Sequence, residues 1–156
     1  PQVVDAVNIP VIAAGGIADG RAIAAAFHLG AQAVQIGTAF LACNESGTSN
    51  LHRAQLFSQQ ARHTQLTRAF SGRLARGITN RFMLEQAAGA APYPIQGWLT
   101  GKLKQAAIEQ GRADLMSLWC GQSAGLLKHK DAQQLMAGMV EQTDRLFKSQ
   151  RIDLDN

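Results

Sequence analysis

Two short apolar runs, each ending in glycine, lie near the start of the chain. The first spans residues 10–17 (PVIAAGGI) and the second residues 33–38 (AVQIGT). Their β-branched residues favour strands, and a glycine directly after a strand can adopt φ > 0. It also lets a ligand approach the main chain, because no Cβ stands in the way. Two such strand ends side by side predict a wall of main-chain N–H groups that suits a phosphate.

The segment between the two runs predicts a helix, so that the three elements form a βαβ unit. Asp19 is well placed to cap the start of this helix and Gly30 to end it. An apolar stripe at helical spacing lies between them: Ala22, Ile23, Ala26, Phe27 and Leu29. The short connections predict that the two strands are parallel neighbours. Because both runs carry apolar residues on both faces, we expect strands that are covered on both sides.

The rest of the chain predicts one further strand followed mostly by helices. The strand is expected over residues 64–70, and a loop rich in Gly and Arg over residues 71–77. Helices are expected near residues 51–61, 79–88, 97–110, 113–119 and 131–148. The composition changes after residue 78, which divides the chain into residues 1–78 and a mostly helical part, residues 79–156.

Length, charge and cysteine content exclude several classes of protein. The 156 residues suffice for one domain with a core, and the start at Pro1 suggests a piece of a longer protein. No apolar run approaches the ~18 residues of a membrane span, and no signal peptide is visible. Cys43 and Cys120 lie far apart, which predicts neither a zinc site nor a disulfide framework and fits the cytoplasm. We attribute the net charge of +4 to ordinary surface charge rather than to nucleic-acid binding.

The glycine ends carry the main candidate site. Main-chain N–H groups of Gly15, Gly16 and Gly37 can donate to phosphate oxygens, and Thr38 adds a hydroxyl. Either glycine pair alone would indicate a tight turn, but two on adjacent strands favour phosphate binding. Gln35 is a polar residue within an apolar run. The pattern is compatible with a hydrogen bond to a cofactor and equally with a satisfied core amide.

Other chemically capable side chains have simpler interpretations. Four arginines lie in and around the glycine-rich loop, and we interpret them as loop residues with local ion pairs rather than as an anion-binding cluster: Arg68, Arg73, Arg76 and Arg81. Four histidines stand at no catalytic or metal-ligand spacing, and we expect surface positions for them: His28, His52, His63 and His129. Cys120 is interpreted as a small buried residue rather than a reactive thiol. The sequence predicts no metal site.

Four segments in order give the chain a family resemblance. They are residues 9–17 (IPVIAAGGI), residues 30–41 (GAQAVQIGTAFL) with Glu45-Ser46, residues 69–77 (AFSGRLARG) and residues 119–122 (WCGQ). Together they resemble the C-terminal half of the nitronate monooxygenase family, formerly called 2-nitropropane dioxygenases. The resemblance runs from about residue 1 to about residue 127.

This resemblance implies a flavoprotein fold and a cofactor. The fold would be α/β: the last two strands of a TIM-type (β/α)8 barrel with an added helical region. Residues 1–78 would hold the barrel strands and the FMN phosphate site, and residues 79–156 would pack on the barrel. The FMN-binding residues would be Gly16, Gln35, Ile36, Gly37 and Thr38, with Gly15 as a weaker match, and residues 119–123 would lie near the flavin.

The resemblance also implies an activity, which this chain holds only in part. Family members are cytoplasmic FMN-dependent oxidoreductases that convert alkyl nitronates and O₂ to a carbonyl compound and nitrite. Their catalytic histidine belongs to a Gly-Gly-His motif that this sequence lacks, so we assign no catalytic residue. A phosphate site alone leaves the flavin ring unheld, so we expect the isolated chain to bind FMN poorly. Leu74 replaces a common proline and Cys120 a small residue. Two alternatives stay open: a flavin-dependent enoyl-acyl-carrier-protein reductase and a non-catalytic phosphate-binding module. The sequence leaves the physiological nitronate and any homo-oligomer undetermined.

Overall fold

The computed structural model describes residues 1–86 and 89–152 and shows an α/β protein. The helices are α1 (Gln2–Ala6), α2 (Gly20–His28), α3 (Thr38–Leu41), α4 (Asn50–Leu56), α5 (Arg81–Glu85), α6 (Ile95–Leu99), α7 (Gly101–Glu109) and α8 (Ala132–Ile152). The strands are β1 (Ile12–Ala14), β2 (Ala33–Gln35), β3 (Thr64–Thr67) and β4 (Ala75–Ile78). They form two separate two-stranded sheets, and the described residues form no closed barrel.

The chain divides into two compact units. The first combines residues 1–47 with residues 126–156, and the second comprises residues 48–125. The sequence boundary after residue 78 lies inside the second unit. As a division into barrel strands and helical region, that boundary stays a prediction.

The first unit contains the predicted βαβ arrangement. Strands β1 and β2 pair in parallel, with Ile12 opposite Ala33 and Ala14 opposite Gln35. Between them, α2 begins at its cap Asp19, whose carboxylate accepts hydrogen bonds from the main-chain N–H groups of Arg21 and Ala22. Gly30 follows the helix with φ of 93°, a conformation that glycine adopts at little cost. These local predictions are therefore confirmed.

Helix α8 packs against the βαβ unit and completes its core. Its buried side chains Leu135 and Met139 form one apolar cluster with residues of α2, α3 and the first glycine loop: Ile17, Ile23, Ala39 and Cys43. Near the end of α8, Phe147 stacks on Phe27 of α2, with 6.2 Å between the ring centroids. The helix predicted near residues 131–148 is thus confirmed as α8.

The expectation that both faces of the β1–β2 pair are covered is wrong for the described residues. Ala13 and Val34 pack on the core cluster, but the opposite face is open. Ile12 on that face keeps 60% of its surface exposed. The reason is that α2 and α8 cover only one side of the pair.

The second unit is built on an antiparallel hairpin. Strands β3 and β4 pair from Thr64 opposite Ile78 to Thr67 opposite Ala75. Residue Trp119 forms a further bridge to Gly77 on the outer side of β4. Phe70 is fully buried beside Phe82 and Trp119, with ring-centroid distances of 4.8 and 5.6 Å.

Several element predictions in this unit are wrong. Residues 71–77, predicted as a loop, contain most of β4, and the predicted strand over residues 64–70 ends at Thr67. Residues 113–119, predicted as a helix, form only a 3-10 turn over Ala113–Leu115 before an extended segment. The helix predicted over residues 97–110 is two helices, α6 and α7, separated at Thr100. The helix predicted over residues 79–88 is α5, Arg81–Glu85, and the last two predicted residues, 87–88, lie outside the described part. The helix near residues 51–61 is α4 plus a 3-10 turn over Gln59–Arg62.

None of the described helices is long and apolar enough to cross a membrane.

Candidate anion-binding site

The register of the parallel pair carries both glycine ends to one edge of the sheet. Ala14 and Gln35 are the last paired residues of β1 and β2. Gly16 lies two residues beyond Ala14, and Gly37 lies two residues beyond Gln35. Because the strands are parallel, both chains leave the sheet at the same carboxyl edge. The predicted neighbourhood of the two glycine ends therefore follows from the observed pairing.

The glycines at this edge have conformations and surroundings suited to a close ligand. Gly15 and Gly16 adopt φ of 95° and 72°, in the region that L side chains rarely enter. A Cβ built on Gly15, Gly16 or Gly37 would meet no protein atom within 4 Å. Packing therefore does not explain the absence of side chains there. Positive φ explains glycine at the first two positions but not at Gly37, where φ is −102°.

The main-chain hydrogen bonds at this edge leave donors beyond the β1–β2 ladder. Outside the β1–β2 ladder, and within residues 1–86 and 89–152, the N–H groups of Gly15, Gly16 and Gly37 donate to no main-chain carbonyl. The Gly37 carbonyl accepts from the N–H of Leu41 and so begins α3. N–H groups that point out of a glycine loop can each donate to an anion oxygen.

The remaining predicted site residues occupy different environments. Gln35 is exposed on the open face of the sheet, so the interpretation as a buried core amide is wrong. Ile36 turns its side chain to the other face, against the core cluster, and presents only its main chain at the edge. Thr38 is the first residue of α3 and half-buried. The edge thus brings together main-chain groups from both loops and one amide side chain.

Asp19 stabilises the end of the first glycine loop. Its carboxylate caps α2 and pairs with the Arg21 guanidinium, with 2.6 Å between Oδ2 and Nη2. Burial raises the pKa of Asp19, but the hydrogen bonds from Arg21 and Ala22 outweigh burial and lower it. The side chain is therefore ionised and compensated locally, and it adds little repulsion toward an anion at the neighbouring glycines.

The four arginines in and around the predicted glycine-rich loop have local partners. Arg68 donates to the Gly72 carbonyl at 3.3 Å, and Arg76 donates to the main chain and hydroxyl of Thr64 at 3.2 Å. The Arg73 guanidinium lies over the Tyr93 ring, 4.5 Å from its centroid, and Arg81 pairs with Glu85. The partners are local, as predicted, but Arg76 lies in β4 and Arg81 in α5 rather than in a loop.

Cys120 is an inert thiol, as predicted. It keeps 6% of its surface exposed, and burial raises its pKa to about 11, although Arg76 lies near enough to lower it somewhat. The thiolate is therefore scarce at neutral pH. Among the described residues, no three His, Cys, Asp or Glu side chains are grouped so as to hold a metal ion.

His52 is a correction to the sequence analysis, which expected it at the surface. Its side chain lies in α4 and is 9% exposed. Nε2 lies 3.1 Å from the carbonyl oxygen of Trp119, so that nitrogen carries the hydrogen and donates. Burial lowers the pKa of His52, and the Trp119 carbonyl opposes that effect only in part. No local pattern predicted this contact, because Trp119 lies 67 residues beyond His52 along the chain.

The buried imidazole predicts a pH dependence of stability. In the folded chain the pKa of His52 lies below its ordinary value of 6.5, so the unfolded chain binds the proton more readily. This contribution to the free energy of unfolding is complete above pH 6.5 and is lost as the pH falls toward the folded pKa. We expect the urea midpoint, followed by tryptophan fluorescence, to decrease over that window.

A matched pair of substitutions tests the origin of this dependence. His52→Gln keeps an N–H donor for Trp119 but removes the titrating ring, so the slope below pH 6.5 should flatten. His63→Gln, at an exposed position, should retain the wild-type slope. An unchanged slope in His52→Gln would show that other groups cause the dependence.

The residues of α8 that contact the start of α2 were not predicted from the sequence. Gln142 Oε1 on α8 accepts a hydrogen bond from the Gly20 N–H at 2.9 Å. The Thr143 hydroxyl contacts the Gly20 carbonyl at 3.4 Å and donates more closely to Met139. The one available signal was glycine at a helix start, where residues with better helix propensity would be expected.

Comparison with known proteins gives one consistent family. The family model described as nitronate monooxygenase matches residues 1–142. A probable nitronate monooxygenase of Staphylococcus aureus (strain Newman) is 45% identical over 150 residues, covering 94% of this chain and 42% of the relative. A solved structure of nitroalkane oxidase from Streptomyces ansochromogenes superposes with a TM-score of 0.91 at 42% identity, covering 95% of this chain and 43% of that one.

A second solved structure shares the fold less closely. FabK from Thermotoga maritima gives a TM-score of 0.79 at 36% identity, covering 96% of this chain and 49% of that protein. The chain thus spans less than half the length of each of these relatives. The family match extends across both compact units and confirms the resemblance of the four sequence segments. The chain belongs to the nitronate monooxygenase family.

Proposed function

We propose that the carboxyl edge of the β1–β2 pair binds the phosphate of FMN, within a cytoplasmic flavin enzyme that oxidises alkyl nitronates with O₂. The chain would supply the last two strands of a TIM-type barrel and an added helical region. The observation that carries the proposal is the register, since Gly16 and Gly37 each follow the final paired residues by two positions. Relatives named as nitronate monooxygenase and nitroalkane oxidase support the activity.

The residues at the edge fit a phosphate group. The Gly15, Gly16 and Gly37 amides supply donors, the Thr38 hydroxyl a further one, and the open space over the glycines admits the oxygens. The Ile36 main chain and the Gln35 amide extend the same edge. Gln35, exposed on the open face, is suited to a polar group beyond the phosphate.

The chain's own contribution is to bind and orient the cofactor. When bound, FMN supplies the redox chemistry. The residues of the edge fix its phosphate, and through it the direction in which the rest of the cofactor extends. The structure offers no base within the edge, and we assign no catalytic residue to this chain.

A single substitution separates binding from folding. Gly37→Val adds a side chain where the protein leaves open space, so its melting temperature should stay within about 2 °C of wild type. The same side chain occupies the space of the phosphate, and FMN affinity should fall at least about tenfold. The affinity is measured by titrating FMN while the ¹⁵N–¹H signals of Gly16 and Gly37 are followed.

Two controls give this experiment its meaning. Gly47→Val introduces the same side chain at another open glycine and should leave FMN affinity unchanged. Riboflavin, which lacks the phosphate, should shift neither amide signal in the wild-type chain. Because this chain holds a phosphate grip without a site for the flavin ring, we expect weak FMN binding. Nanomolar affinity would contradict this expectation, and equal shifts with riboflavin would contradict the phosphate assignment.

The second candidate function is a flavin-dependent enoyl-acyl-carrier-protein reductase, which the FabK likeness favours. Both candidates use the same phosphate edge, so they are distinguished in the full-length protein. Nitrite release from an alkyl nitronate under air supports the first, and rapid reduction of bound flavin by NADH supports the second. A full-length protein with no flavin absorbance would instead favour a non-catalytic phosphate-binding module.

A further inference from the structure

Helix α8 contacts the chain directly behind both glycine loops. After the first loop, Ile17 packs on Leu135 and Met139 of α8, and after the second loop, Ala39 packs on the same cluster. Ile17 follows Gly16 directly, and Ala39 lies two residues beyond Gly37. One helix therefore buries the residues that leave each side of the proposed phosphate site.

The first loop is fixed at its far end by hydrogen bonds to α8. Gly15 and Gly16 have no side chains, and the space where a Cβ would stand is open, so side-chain packing cannot fix their amides. Four residues on, the Gly20 N–H donates to Gln142 Oε1 at 2.9 Å, and the Thr143 hydroxyl contacts the Gly20 carbonyl. A Cβ on Gly20 would lie 2.7 Å from the Thr143 nitrogen, which shows how closely the two backbones approach.

The second loop is tied to the start of the same helix. Past α3, the Asn44 N–H donates to the Lys130 carbonyl at 2.8 Å, just before α8 begins. The Glu45 carboxylate accepts from the Ala132 N–H, the first residue of α8, at 3.2 Å to both oxygens. An anion at this helix start is also favoured by the helix dipole.

From these contacts we infer that α8 is a brace that sets the spacing between the two glycine loops, and that Gln142 is a positioning residue for the phosphate site. A phosphate held by two loops requires both sets of N–H groups at hydrogen-bond distance at once. The rigid helix fixes Gly20 near its middle, through Gln142 and Thr143, and residues 44–45 at its start. This inference rests on the proposed function, because it concerns the geometry of that site.

The test compares three substitutions on α8. Gln142→Leu removes the acceptor for the Gly20 N–H and should weaken FMN binding about fivefold or more. Gln142→Glu keeps an oxygen acceptor at the same place and should stay within about twofold of wild type. Phe147→Ala removes the stacking on Phe27 and should lower the melting temperature, but it does not touch the brace contacts and should leave FMN affinity unchanged.

The outcomes separate the brace from the proposed function. FMN shifts at Gly16 and Gly37 in the wild type, with loss in Gln142→Leu and rescue in Gln142→Glu, support the brace. Equal affinity in Gln142→Leu and wild type, or equal loss in Phe147→Ala and Gln142→Leu, overturns it while the phosphate site stands. If FMN shifts neither amide signal in the wild type, the phosphate site is overturned, and with it the positioning role assigned to α8.

Discussion

Gly72→Ala is expected to destabilise the second unit by about 2–5 kcal/mol. Gly72 lies in the turn between β3 and β4 with φ of 82°, a conformation that costs an L side chain roughly 1–2 kcal/mol. A Cβ there would also lie 2.5 Å from the Tyr93 nitrogen, 2.6 Å from the Ala91 oxygen and 2.7 Å from the Pro92 carbonyl carbon. All three are backbone atoms, so no side-chain rotation relieves the overlap.

The loss would spread beyond the turn itself. Arg68 donates to the Gly72 carbonyl, and the neighbouring Arg73 lies over the Tyr93 ring, so the turn and the segment near Tyr93 hold each other. Separation of these segments would disturb Gln96, whose buried amide donates to Ala69 and accepts from Ala91. Breaking such a buried hydrogen bond leaves polar groups unsatisfied.

Tryptophan fluorescence is a suitable measurement, because Trp98 and Trp119 both belong to this unit. We expect the melting temperature of Gly72→Ala to fall by about 5–15 °C. Gly97→Ala is the matched control, since Gly97 lies inside α6 with open space around it, and it should be neutral or slightly stabilising. A Gly72→Ala protein that melts with the wild type would refute the described turn.

The sequence predicted those features whose causes lie within a few residues. Asp19 caps α2 through its own next turn, and Gly30 takes a conformation that its neighbours cannot. Parallel pairing of β1 and β2 followed from the short connections, and it implied the shared edge of the glycine loops. The site was therefore predictable in outline, because strand order and glycine position are both local information.

The errors concern contacts between distant segments. Gly77 looked like part of a loop, yet it lies in β4, paired with Gln65 and bridged to Trp119. Glycine is needed there because the Leu118 carbonyl oxygen lies 2.8 Å from where a Cβ would stand. Residues 117–119 looked helical, but the pairing with β4 holds Trp119 extended. His52 was expected at the surface for the same reason: the carbonyl that accepts its hydrogen bond comes from that extended segment.

Gly20→Ala is the second large effect, and its sign distinguishes two physical arguments. Gly20 is the first residue of α2, and helix propensity alone predicts that alanine stabilises such a position by up to about 1 kcal/mol. Packing predicts the opposite. The new Cβ would lie 2.7 Å from Gln142 Cβ and the Thr143 nitrogen and 2.8 Å from the Met139 oxygen. Such overlap with a packed helix costs about 1–3 kcal/mol or more.

We expect packing to prevail, because two of the three atoms belong to the backbone of α8 and cannot move without shifting the helix. The matched control for Gly20→Ala is Gly101→Ala. Gly101 is likewise the first residue of a helix, α7, but a Cβ there would meet open space. Urea unfolding followed by circular dichroism should show a lower midpoint for Gly20→Ala and an equal or higher one for Gly101→Ala. If both substitutions stabilise the chain, α8 does not approach α2 as described, and neither the close packing at Gly20 nor the brace behind the glycine loops can be maintained.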